Sequence, residues 1–88
     1  MEKVKFDKLE KLILAFNKIS DISILEKVNF KELNELNLSS NKISYIKALE
    51  KAKFEKLEIL NLSENQISEK DKESIISKMK YKIKELYT

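Results

Sequence analysis

Few side chains in this 88-residue chain are of a type that does chemistry. Fifteen Asp and Glu face eighteen cations, and every cation is Lys. Paired carboxylates could share acid and base roles, but here the acids alternate with Lys and no two stand in that relation. The chain has no Cys and no His, so it offers no thiolate, disulfide, Ser-His triad, His-ligated zinc or near-neutral imidazole base. It also has no Gly, which removes the phosphate-cradling glycine loops. The expectation is a non-enzyme with no cofactor, no metal and no small-molecule substrate. One polar residue does recur at fixed spacing: Asn17, Asn41 and Asn65 stand 24 positions apart.

The net charge of +3 gives a mixed-sign surface suited to solubility. Without Arg there is no bidentate reading of phosphate or guanine. The lysines form no stripe and no aromatics are interleaved with them, which argues against a nucleic-acid partner. No apolar run approaches the roughly 18 residues of a membrane span. The first residues, Met1 to Lys8, hold no apolar signal core, so no export signal is visible and a cytoplasmic location is favoured.

The elements that must position these residues follow from an internal repeat. Ala, Glu, Lys and Leu make up 45 of the 88 residues, a composition that suits a coiled coil. The period excludes it. LEKLILAFNKIS from Leu9, LNELNLSSNKIS from Leu33 and LEILNLSENQIS from Leu57 align without gaps. The spacing of 24 is not a whole number of heptads. Within the first unit, Leu12 and Leu14 alternate as in a strand. Ile22, Leu25 and Val28 then recur every three residues, as in a short helical or 3₁₀ segment, and Phe30 follows. Each unit is therefore a strand, a bend at the Asn, a short helix and a return. The second unit repeats this through Leu33, Leu36, Leu38, Asn41, Ile43, Ile46, Leu49, Ala52 and Phe54. Residues 2–8 (EKVKFDK) echo 50–56 (EKAKFEK).

The set Leu9/12/14-Asn17-Ile19, with its copies at Leu33/36/38-Asn41-Ile43 and Leu57/60/62-Asn65-Ile67, resembles the leucine-rich repeat, L-x-x-L-x-L-x-x-N-x-L. The tails NKISDISIL and NKISYIKAL look like the short-repeat subclass of internalins and the phosphatase-1 regulatory subunit, lengthened to 24 by the inserted Phe. The resemblance implies an α/β solenoid, with a short parallel sheet on the concave face and short helices on the convex face. It also implies that the asparagines point inward and bond neighbouring backbone as a ladder.

The expected organisation is one domain over 1–88. It comprises a partial repeat at 1–8, repeats at 9–32, 33–56 and 57–68, and a helical cap at 69–88. After Ser68 the pattern breaks, with Lys70, Glu73 and Lys78 at apolar positions. Ser68-Glu69-Lys70-Asp71 reads as a helix start close to a capping box. Ile75, Ile76, Met79, Ile83 and Leu86 then form one stripe, which predicts an amphipathic helix over 69–87 closing the end of the array. Membrane-surface binding by this Lys-rich helix is the sharper but less favoured alternative.

Strand positions flanking the inward leucines should face a partner from the concave side. The candidates are Lys11, Ile13 and Phe16, then Glu35, Asn37 and Ser39, then Ile59 and Asn61. The first row stands out, because Ile13 and Phe16 are apolar where later rows are polar. Local packing of both against Met1 to Phe6 is the plainer expectation. By the resemblance, the function is binding of a protein partner through the concave face and the N-terminal edge. The alternative is a structural, truncated or idealised array that self-associates without a dedicated ligand.

Overall fold

The computed structural model describes residues 8–80 and 82–88. The expected partial repeat, and the expected packing of Ile13 and Phe16 on Met1 to Phe6, fall almost entirely outside these residues. The chain forms β1 (Lys11–Ile13), a 3₁₀ turn (Ser23–Lys27), β2 (Asn29–Phe30), β3 (Glu35–Asn37), α1 (Lys47–Lys51), β4 (Lys53–Phe54), β5 (Ile59–Asn61), α2 (Glu69–Met79) and β6 (Glu85–Tyr87).

The strands form a four-stranded parallel sheet in the order β1-β3-β5-β6. The 24-residue period sets the register of the first three strands, so Leu12, Leu36 and Leu60 fall in one line across the sheet, and Leu86 extends it 26 residues further on. Side chains alternate along each strand, so these leucines enter the core while their neighbours face outward. Leu36 and Leu60 are fully buried, with Leu33, Leu38, Ile43 and Leu62 around them. On the opposite side the 3₁₀ turn lies beside α1. There β2 and β4 pair in parallel, and Phe30 stacks on Phe54 at 5.3 Å between ring centres. The inserted Phe therefore builds a second, smaller sheet at the return of the first two repeats.

β1, β3 and β5 each lead into a turn that takes left-handed backbone: Phe16, Ser40 and Glu64 have φ of 60°, 56° and 58°. With no Gly in the chain, ordinary residues carry this conformation at a cost of about 1–2 kcal/mol each.

The helix expected over 69–87 is shorter. Ser68 caps it, its Oγ accepting from Asp71 N at 3.2 Å, but it ends at Met79. The amides of Lys82 and Ile83 both close a turn onto Met79 O, and the chain then returns as β6. Ile83 and Leu86 are therefore not part of a helical stripe. They occupy the places of Leu57 and Leu60 in a fourth strand, and Ile76, expected on that stripe, is exposed. The third unit is 26 residues long, the two extra residues going with the longer helix.

Candidate protein-binding face

The outward positions of the sheet form two rows. One runs Lys11, Glu35, Ile59, Glu85, and the other Ile13, Asn37, Asn61, Tyr87. In the first, Lys11 Nζ lies 3.9 Å from a Glu35 carboxylate oxygen. In the second, Ile13 and Tyr87 are 53% and 47% exposed at the two ends. Phe16, in the turn after β1, is 84% exposed.

Asn37 and Asn61 between them are pinned. Ser39 N and Oγ donate to Asn37 Oδ1 at 3.0 and 2.7 Å, and Ser63 N and Oγ donate to Asn61 Oδ1 at the same distances. With each carboxamide oxygen engaged, the amide nitrogens are left as donors that bond no described residue. Neighbouring strands hold them about 4.8 Å apart. Two fixed donors in register suit the carbonyl or carboxamide oxygens of an extended partner. At the end of the row, the Tyr87 hydroxyl donates to Glu85 Oε1 at 2.7 Å. This bond, and then the carboxylate charge, raise the phenol above its ordinary pKa.

Of the sequence candidates, Lys11, Ile13, Glu35, Asn37, Ile59 and Asn61 share this face. Phe16 lies at its rim rather than on a strand. Ser39 does not belong to the face: it is 8% exposed, and its hydroxyl is spent on Asn37. The small side chain follows the turn inward, so it supports the face instead of presenting a surface. Glu85 and Tyr87 were missed because their segment read as helix. The available signal was Ile83-x-x-Leu86, which has the spacing of Leu57-x-x-Leu60.

The recurring asparagines sit behind the face. Asn41 Nδ2 donates to the carbonyls of Leu14, Leu38 and Ser39 at 3.0–3.1 Å, and its Oδ1 accepts from Ile19 N at 3.0 Å. Asn65 repeats this with Leu38, Leu62, Ser63 and Ile43 N. Each links its own repeat to the one before. Asn17 is exposed, and among the described residues it bonds Leu14 O and Ala15 O, both within its own unit.

A groove of about 570 Å³ also opens between Ala52, Phe54 and Leu57 on one side and Met79 and Ile83 on the other. Ion pairs cross its rim, Lys78 to Glu50 at 2.8 Å and Lys84 to Glu58 at 3.7 Å. Among the described residues no helix is long and apolar enough to cross a membrane.

The repeat, its parallel sheet and its inward asparagines define a class of protein. A model of "Leucine Rich repeats (2 copies)" matches residues 7–51, and one of "Leucine Rich Repeat" matches 56–77. The chain belongs to the leucine-rich repeat family. Such repeats generally mediate protein–protein interaction, and the family is typically a non-enzymatic interaction module. No curated protein and no solved structure gives a significant match to the chain.

Proposed function

We propose that the chain binds a protein partner across the outward rows of its sheet, from the β1 end. The observation that carries this reading is the exposure of Ile13 and Phe16 beside the fixed amide donors of Asn37 and Asn61. Exposed branched and aromatic groups beside preset donors are the anchors that dominate interface energy. Phe16 also carries left-handed backbone, a cost that its solvated ring does not offset within the chain. The partner is an extended protein segment that offers apolar side chains to Ile13 and Phe16 and carbonyl oxygens to the two amides.

The test is affinity capture with the 88-residue chain, its Ile13→Lys/Phe16→Asp variant, and Lys51→Glu in α1 as a control. A partner that binds the parent and the control but is lost with the double variant supports the reading. Equal capture by all three overturns it, provided that far-UV circular dichroism shows the double variant folded.

A further inference from the structure

Among the described residues both edges of the four-stranded sheet are open, β1 on one side and β6 on the other. An open edge presents backbone N–H and C=O groups that can pair with another strand. The two edges differ, and they match each other.

Within the chain, Lys11 stands opposite Glu35, and the same row runs on through Ile59 to Glu85. Consider a second copy whose β1 lies beside β6 in this register. Its Lys11 would face Glu85, its Leu12 would face Leu86, and its Ile13 would face Tyr87. Each pairing supplies what the single chain lacks. The spacing suits opposite charges, since Lys11 and Glu35 already approach to 3.9 Å across neighbouring strands. Leu12 and Leu86 are only partly buried, whereas Leu36 and Leu60 between them are fully buried. Ile13 and Tyr87 are the exposed large apolar side chains at the two ends of their row. Pairing two β1 edges, or two β6 edges, about a two-fold axis would run the strands antiparallel. That would align Lys11 with Ile13, or Glu85 with Tyr87, and forfeit the charge match.

We propose that the 88-residue chain associates head to tail with further copies of itself, β6 of one pairing in parallel with β1 of the next. The proposal deepens the edge component of the function above by naming an occupant for it. A head-to-tail contact is heterologous, so unless rotation closes a ring it propagates into open rows of repeats.

Light scattering across micromolar to millimolar concentrations tests this. The parent should show a mass that rises past the dimer without levelling there. Glu85→Lys and Lys11→Glu should each weaken association by about tenfold or more, because each sets like charges against each other at every junction. Both should keep the parent's far-UV spectrum. An equal mixture of the two should associate again, since every mixed junction regains opposite charges. A parent that stays monomeric, a mass that levels at the dimer, variants that associate like the parent, or a mixture that fails to restore association would each overturn the proposal. Partner capture is scored separately with the parent chain. A parent that captures a partner but stays monomeric overturns this proposal and leaves the preceding one standing, and a parent that self-associates but captures no partner does the reverse.

Discussion

The first and second repeats carry nearly the same motif and end in different states. Leu33, Leu36, Leu38 and Ile43 are fully buried, while Leu9, Leu12, Leu14 and Ile19 are only partly so. Asn41 is 7% exposed and holds two repeats together, whereas Asn17 is exposed and, among the described residues, bonds its own repeat. The motif sets the local path of the chain, and burial goes with neighbouring repeats: among the described residues, the second repeat has one on each side and the first has one after it. That is the behaviour of a solenoid, whose stability is a sum of unit and nearest-neighbour terms.

The comparison can be broken most sharply at the inward leucines. Leu36→Ala removes a side chain packed on both sides and should cost about 3–5 kcal/mol, near the upper range for core truncations. Leu12→Ala, at the partly buried end of the same line, should cost about half that or less. Urea melts of both variants check this, and equal losses would show that the first repeat is packed as firmly as the second.

The asparagines give a smaller contrast. In Asn41→Ala the carbonyls of Leu14, Leu38 and Ser39 keep other donors, from Asn17, Asn65 and Phe16 N. Ile19 N loses the acceptor it has in Asn41 Oδ1. One partly buried donor left unmatched costs about 1–3 kcal/mol. Asn17→Ala orphans no buried group among the described residues and should stay within about 0.5 kcal/mol of the parent. The same melts would refute the linking role of Asn41 if both variants lost equally or not at all.

The repeats were legible because period, leucine spacing and asparagine placement all pointed to one unit. The end of the chain was not, for a definite reason. A spacing of three apolar positions fits both a helix and the lead-in of a strand in this motif. Ile83 and Leu86 continued the helical stripe of Ile75 and Met79, so the change of element at Met79 left no mark in the pattern. The two-residue lengthening of the third unit also put the fourth strand out of phase with a search at 24. On the outward face, strand alternation placed Lys11, Ile13, Asn37 and Asn61 correctly. It failed at Ser39, where the turn has begun and alternation no longer applies.

The turn also carries the smallest contrast, and there the first repeat is at a disadvantage. Phe16, Ser40 and Glu64 share the left-handed conformation, but only Phe16 puts a large, exposed aromatic there. Gly adopts this backbone without a side-chain clash, although it loses more freedom on folding. Phe16→Gly should therefore raise stability by about 0.5–1 kcal/mol, since relieving a conformation that costs about 1–2 kcal/mol outweighs the added entropy. Ser40→Gly should gain less, because Ser40 is partly buried and some of its packing would be lost. Thermal and urea melts measure both. A gain at Phe16 together with weakened partner capture would mean that the residue is kept for binding at the expense of stability. A loss of stability on Phe16→Gly would show instead that the ring packs within the folded chain, and would remove it from the binding face.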